Sequence, residues 1–409
     1  MRRVITPVLA TLTAAALAAG NPGAPATAGP APSQSARAYI VVLKSDAAPG
    51  KVADQHRQGY GADVAHVYRN ALKGYAARMT PAAAAQVAAD SRVQWVQPDG
   101  VVEATAQTTP TGINRANADA SSTAAGNGSG TVDVDVAVID TGIDLDHPDL
   151  NVHTAGAKNC STGRSADDGN GHGTHVAGTV GAKDDTVGVV GMAPGARVWP
   201  VRVLDNRGSG SWSAVICGID YVAANADKIE VANMSLGGTG TDRGSCGNGS
   251  DAMHAAICNA VAKGVTFVVA AGNESDDAAN HTPAAYDEVI TVSALADFNG
   301  LPGGGAAATC RSDVDDTFAS FSNYGADVDL IAPGVCINST WKGGGYSTIS
   351  GTSMASPHVA GGAALYLAGN PGASPAQVKS ALQASGTTDW NDVDDPDPVK
   401  ERLLDVSTY

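Results

Sequence analysis

The run Val132-Asp-Val-Asp-Val-Ala-Val-Ile139 leads directly into Asp140-Thr-Gly142. A β-rich apolar run that stops at a carboxylate beside glycine predicts a strand ending in a tight turn. Three more runs have the same character: residues 197–203, 265–271 and 289–294. Between and after them, residues 213–224, 250–263 and 352–368 carry helical spacing. Strands alternating with helices imply βαβ crossovers, hence an α/β fold with a doubly wound, mostly parallel sheet flanked by helices. Ligands on such folds sit at the carboxyl ends of strands, where Asp140 falls and where Asn273 follows.

A carboxylate at the end of a buried strand needs partners that keep it charged, and a histidine Nδ1–H is one. Taken alone, Asp140 reads equally as a strand-end residue capping a turn. Two histidines offer themselves in Asn170-Gly-His172-Gly-Thr-His175, at the start of a helix. An i, i+3 pair can ligate a metal, but no carboxylate or third ligand lies on that face. Glycines flank only His172, leaving its ring unhindered, whereas His175 reads as a packed or hydrogen-bonded support. A hydroxyl comes from Ser353 in Ser350-Gly-Thr-Ser353-Met-Ala-Ser356-Pro357, where a small-residue helix begins. That helix end supplies free N–H groups and a positive pole for a developing oxyanion, although a capping serine reads the same way. Acid, imidazole and hydroxyl together are the inventory of a nucleophilic Ser/His/Asp site.

The 409-residue chain has a formal net charge of −16. The charge is unevenly spread: up to Thr105 there are ten basic and six acidic side chains, leaving 15 and 35 beyond it. Such acidity argues against nucleic-acid binding. Residues 1–28 read as a secretory signal: Arg2-Arg3, an apolar stretch over residues 4–19, and Ala26-Thr-Ala28 as the cleavage region. That stretch is shorter than the roughly 20 residues needed to span a bilayer. All six cysteines lie beyond Thr105 with no C-x-x-C pair, which in an exported chain favours disulfides over metal thiolates. Proximity in sequence suggests Cys246–Cys258 and Cys310–Cys336, leaving Cys160–Cys217.

Residues 39–105 read as a small α+β unit, with strands at 38–43 and 93–96 and a helix over 80–89 capped by Thr80. A segment this short and without cysteine can bury only a modest core. It is either an independent domain or a propeptide folding against the acidic remainder, where its positive charge helps.

Jointly, the three glycine-flanked segments resemble the subtilisin family of serine endopeptidases, over nearly all of residues 106–409 and with signal and propeptide in the family's order. The resemblance implies a subtilisin-like peptidase domain at 106–409, preceded by a ferredoxin-like inhibitor and chaperone propeptide at 29–105, folded from about residue 38. It assigns Asp140 as the acid, His172 as the base and Ser353 as the nucleophile. Asn273, in Ala270-Ala-Gly-Asn273-Glu274, becomes an oxyanion donor together with the Ser353 N–H. Ser235-Leu236-Gly237-Gly238 resembles the strand that pairs with substrate and walls the S1 pocket with Ala271, Gly272 and Glu274. Gly208, Gly210 and Trp212 match the facing strand, Trp212 lying over S4. A peptide held as an added strand implies broad specificity.

Calcium is also implied. Its strong site would take the Asp149 and Asp185 carboxylates, the Gln107 amide and the carbonyls of Lys183, Val187 and Val189. A weaker site is suggested by Asp327 and Asp329 near the carbonyls of Ala284, Tyr286 and Val289. Ala106-Gln107 resembles the family's mature N-terminus, so self-cleavage is expected after Thr105, with Val102 in S4 beneath Trp212. The implied product is a secreted, monomeric endopeptidase acting on protein and peptide substrates, with no nucleic-acid or membrane partner. Two rivals are a selective processing protease, which would show denser acid around S1 and S2, and a non-catalytic binding protein, which would lack one of the four residues. The stretch Gly303-Gly-Gly-Ala-Ala-Ala-Ala308 reads as a flexible surface insertion.

Overall fold

A computed structural model describes residues 35–99 and 107–409. The signal and the Thr105–Ala106 bond, with Val102, lie outside the described residues. The chain divides into two compact units at about residue 103.

The first unit is built from β1 (Arg37–Leu43), α1 (Pro49–Tyr60), β2 (Asp63–Tyr68), β3 (Gly74–Met79), α2 (Pro81–Ala88) and β4 (Val93–Pro98). Its strands form one antiparallel sheet in the order β2-β3-β1-β4, a ferredoxin-like arrangement. Thr80 caps α2 by accepting from the Ala83 N–H, an interaction worth about 1 kcal/mol. The core is small, as expected: Val41, Val52, Tyr75, Met79 and Val87. Helix α1, β2 and β3 were not legible, because residues 49–60 are mostly polar and bury only Pro49, Val52, Ala53 and His56. His56 bonds Tyr75 and Asp90 instead of packing as a hydrocarbon.

In the second unit β5 (Asp135–Asp140), β6 (Arg197–Arg202), β7 (Ile229–Met234), β8 (Thr266–Ala270), β9 (Ile290–Ala296), β10 (Leu330–Pro333) and β13 (Arg402–Leu403) form the central sheet. Their spatial order is β13-β10-β9-β8-β7-β5-β6, all paired in parallel. The strands are buried on both faces, and period-2 alternation sorts their side chains into two layers. Val136, Val138, Val198 and Val231 face α3 (His172–Gly181) and α6 (Thr352–Gly369). Ala137, Ile139, Val201 and Phe267 face α4 (Trp212–Ala224) and α5 (Ala252–Val261). The hairpin β11 (Ile337–Trp341) and β12 (Gly345–Ile349) covers α3, and α7 (Pro375–Ser385) follows α6.

The chain goes from β5 to β6 on one side and returns to β7 on the other, so the sheet's switch point lies between β5 and β7. A crevice opens there, beyond the carboxyl ends. Strand β7 escaped the sequence reading because Glu230 and Asn233 interrupt its apolar run. Asn233 is fully buried, donating to Ser235 Oγ at 2.9 Å and accepting from Ser356 Oγ at 2.7 Å.

Three disulfides form, Cys160–Cys217, Cys246–Cys258 and Cys310–Cys336. Residues 303–308 correct the expectation of a loose insertion. The Gly303 and Gly304 N–H groups bond Asp316, the Ala306 N–H bonds Asp315, and Arg115 clamps Asp316 from below.

Candidate active site

Strand β5 delivers Asp140 to the switch point with no exposed surface. Its two oxygens lie 2.8 and 3.0 Å from His172 Nδ1, and the Thr141 N–H holds Oδ1 at 2.6 Å. The histidine is the first residue of α3, and its neighbours must be glycine. A Cβ on Gly173 would stand 2.1 Å from the Gly142 carbonyl oxygen. One on Gly171, at φ 117°, would stand 2.3 Å from the Trp341 ring.

Asp168, absent from the sequence reading, fixes this helix start. One oxygen accepts from the Asn170 and Gly171 N–H groups and from the Thr141 hydroxyl; the other accepts from the Thr174 N–H and hydroxyl. Burial opposes a positive charge on His172, but the facing Asp140 carboxylate, with Asp168 behind it, raises its pKa above the ordinary value. His175 is fully buried, its Nε2 on the carbonyls of Ile337 and Ser347; burial pushes its pKa down to about 3. It ties α3 to the β11–β12 hairpin as a neutral side chain.

Ser353 is the second residue of α6, and its hydroxyl donates to the Ser235 carbonyl at 3.3 Å. Ser235 returns a bond to the Ser353 carbonyl at 2.8 Å, locking the end of β7 to this helix. Asn273 follows β8, its Oδ1 accepting from the Thr352 N–H and hydroxyl at 2.8 and 3.1 Å. With the oxygen so engaged, the Nδ2 amide is the end left to donate. The loop around Asn273 winds about Asn323, which is fully buried and bonds the Ala271 carbonyl, the Glu274 carboxylate and N–H, and the Asp276 N–H. Gly272, at φ 113°, leaves no room for a Cβ against Asn323.

Thr141, His172, Gly208, Gly210, Trp212 and Ser353 line one groove of about 730 Å³, shared with Ser235, Leu236 and Gly237. The segments at 208–211 and 235–237 lie along the groove outside any ladder of the structure. Residues 235–237 leave β7 without a ladder partner, the Ser235 carbonyl accepting from the Ser353 hydroxyl, and Gly238–Thr239 then pairs with His281–Thr282. Asp205 folds Gly208 into a turn, and Ser211 caps α4, so Trp212 opens a helix. Its ring, 43% exposed, stands over Gly238.

A second, smaller cavity of about 90 Å³ is walled by Leu236, Gly238, Ala271, Gly272, Glu274 and His281. His281 was not found in the sequence. Its ring bonds Asp276 at 3.2 Å and lies 3.7 Å from Glu274, narrowing the space beside Ser353.

At the expected strong cation site Gln107, Asp149 and residues 183 and 189 lie together. Gln107 lies against the carbonyls of Lys183 and Val189, its Nε2 at 2.7 and 3.3 Å; turning the amide over would present Oε1 to the same space. Asp149 is 3% exposed, with one oxygen on the Val189 N–H and Oδ1 without a partner. Burial drives its pKa up to about 6. An orphaned carboxylate oxygen within an all-oxygen loop fits calcium. Asp185 is engaged locally with the Val187 N–H, and Val187 is half exposed.

The weaker site does not form as expected. The Lys379 ammonium sits 2.7 Å from Asp329 Oδ2, 2.8 Å from the Val289 carbonyl and 3.2 Å from that of Asp287. Thr291 takes the Ala284 carbonyl at 2.7 Å, and the Tyr286 carbonyl accepts from the Val289 N–H at 3.4 Å. A tethered cation from α7 therefore stands against Asp329 and the Val289 carbonyl, two of the expected ligands, and burial raises the pKa of Asp327.

An acid, an imidazole and a hydroxyl meeting at the switch point of an α/β sheet define a serine hydrolase. Residues 128–397 match the Subtilase family, and residues 38–105 match Peptidase inhibitor I9. Subtilisin NAT from Bacillus subtilis subsp. natto is 39% identical over 315 residues, covering 76% of this chain and 75% of that protein. An Extracellular serine proteinase from Thermus sp. (strain Rt41A) is also 39% identical, covering 84% and 80%. A crystal structure of a cold adapted subtilisin-like serine proteinase superposes with a TM-score of 0.57 at 37% identity, covering 72% of this chain and 97% of that one. The chain belongs to the subtilase family of serine peptidases.

Asn273→Leu is expected to lower kcat by about 10²–10³-fold with KM nearly unchanged, the loss seen for such a donor in subtilisin itself. Steady-state kinetics on a peptide anilide reads this; an effect confined to KM would remove Asn273 from the oxyanion site.

Proposed function

We propose that this subtilase is a secreted, calcium-stabilised endopeptidase of broad specificity that frees itself by cutting after Thr105. Residues 1–28 serve as export signal, 29–105 as chaperone and inhibitor, and 106–409 as a monomeric catalytic domain. The reading is carried by His172 Nδ1 at 2.8 Å from Asp140, in the groove that also holds the Ser353 hydroxyl. His172 Nε2 takes the Ser353 proton as the hydroxyl attacks the scissile carbonyl, and Asp140 fixes the tautomer and supports the imidazolium. The Asn273 amide and the Ser353 N–H hold the oxyanion. His172 gives its proton to the leaving amine, then draws one from water as water opens the acyl-enzyme. Backbone outside any ladder at Gly210 and at residues 236–237 would bind the peptide as a third strand, supporting breadth of substrate.

Calcium, held by the Gln107 amide, Asp149 and the carbonyls of residues 183–189, would neutralise a buried carboxylate and stiffen that loop. It takes no part in bond cleavage. Export is supported by the Thermus relative, named extracellular, and no helix among the described residues is long and apolar enough to cross a membrane.

Fragments of a denatured protein, sequenced by mass spectrometry with and without a chelator, test the reading. Cuts after many residue types, with fragments disappearing as chelated enzyme inactivates, are the expected result. Cuts restricted to basic residues would favour a selective processing protease, and chelator-resistant activity would remove the calcium.

A further inference from the structure

Beyond Thr105 the chain has 15 basic side chains against 35 acidic ones, so a cation there without a partner is out of keeping with its surroundings. Arg207 is such a cation. It is exposed, it lines the groove of about 730 Å³ beside His172, and its guanidinium makes no hydrogen bond or ion pair among the described residues. Among the described residues that line this groove, only His172 and Arg207 have acidic or basic side chains.

The turn that carries Arg207 is fixed from both sides. Asp205 Oδ1 accepts from the Arg207 and Ser209 N–H groups at 2.8 and 3.1 Å, and the Asp205 N–H donates to the Ser209 carbonyl at 2.8 Å. The neighbouring carboxylate is thus engaged with the backbone and forms no ion pair with the guanidinium. Arg202, only 7% exposed, donates to the carbonyls of Leu204, Ser165 and Asp167 and to Asn206 Oδ1. The Asn170 amide donates to the Asn206 carbonyl at 3.1 Å. These bonds tie the residue before Arg207 to the segment that leads into His172. Arg207 therefore stands at the His172 end of the 208–211 edge, and Trp212 stands at the other.

A peptide bound along this edge, with its scissile carbonyl at Ser353 and its fourth residue under Trp212, passes Arg207 with its second and third residues. A side chain on this rim meets a planar fork of N–H donors with no acceptor yet supplied, which a carboxylate fits. The sequence expected to be cut has that feature. Val101-Val-Glu103-Ala-Thr105 contains one carboxylate, at the third residue before the bond. The smaller cavity makes no such match, since the Glu274 carboxylate lines it.

Given the endopeptidase activity proposed above, on which this rests, we propose that Arg207 is a specificity-determining residue. It favours an acidic side chain, aspartate or glutamate, at the second or third residue before the scissile bond. The pair is exposed, so the preference should be modest, about three- to fivefold in kcat/KM, and should shrink as salt screens it.

Quenched peptides built on residues 101–108, Val-Val-Glu-Ala-Thr-Ala-Gln-Thr, carry Glu, Gln or Lys in turn at position 103 or 104, with alanine at the other. A third set, varied at position 107 beyond the bond, controls for the negative field of the whole domain. For the purified active enzyme, Glu should exceed Gln by about three- to fivefold at one of the two upstream positions, with Lys poorest. Arg207→Gln should erase this preference and Arg207→Glu should reverse it toward Lys, while the ratios in the control set stay in place. Equal kcat/KM for Glu, Gln and Lys upstream, or a preference that survives both substitutions, would overturn the role of Arg207 and leave the endopeptidase activity standing. Failure to cut any of the peptides would overturn that activity and the role of Arg207 with it.

Discussion

Ser353→Ala is expected to reduce peptidase turnover by about 10⁶-fold, the loss that removal of the nucleophile produces in subtilisin itself. The Thr105–Ala106 bond should remain uncut, so the purified chain should retain its propeptide. Without the hydroxyl no acyl-enzyme can form. What survives is the pull of the Asn273 amide and substrate positioning, about 10³–10⁴-fold over water. Folding should be nearly untouched, because the hydroxyl makes a single bond, at 3.3 Å, to the Ser235 carbonyl. Intact mass and an anilide assay read both outcomes. A processed, active variant would remove Ser353 from the mechanism.

Asp140→Asn is expected to cost about 10⁴-fold in kcat, as the same change does in trypsin-like enzymes. The carboxylate only accepts, so it selects the His172 tautomer with the proton on Nδ1 and leaves Nε2 free to take the Ser353 proton. An amide can donate to Nδ1, which sends the ring proton to Nε2 and blocks that step. The pH profile carries a second signature. His172 must be neutral to act as base, so activity appears as pH rises through its pKa. Burial alone would lower that pKa, but the Asp140 and Asp168 carboxylates raise it. The acid limb of kcat/KM should therefore lie above the ordinary histidine value of about 6.5, and should move downward in Asp140→Asn. A limb that stays in place would assign the titration to another group.

Much of this arrangement was legible in sequence because it depends on local pattern. A β-rich apolar run ending at Asp140, glycines fencing His172, and a small-residue helix opening at Ser353 each declare their position through neighbours. The groups that hold the site in place do not. Asp168 serves Thr141, and Asn323 wraps the loop of Asn273; these partners are 27 and about 50 residues apart. Buried polar residues like these look in sequence like ordinary loop residues, and only the fold supplies their partners. His281 reaches the small cavity through the short pairing of residues 238–239 with 281–282, too brief to leave a periodic signal.

Lys379 shows the reverse case. Correspondence of Asp329 and Val289 to a cation site was readable, but the lysine that fills it comes from α7, 50 residues after Asp329. An ammonium with three donors can satisfy a carboxylate and two carbonyls at once. A motif can name the ligands of a site without naming what occupies it. At the strong site the Asp149 oxygen stays orphaned.

The most direct measurement is covalent labelling with a fluorophosphonate, which reacts only with a hydroxyl whose proton is being drawn away. Peptide mapping of the labelled protein should place one adduct, on Ser353, with labelling abolished in His172→Ala and strongly slowed in Asp140→Asn. An adduct on a different serine, or labelling of Ser353 at an unchanged rate without His172, would contradict the assignment of this cleft as the active site.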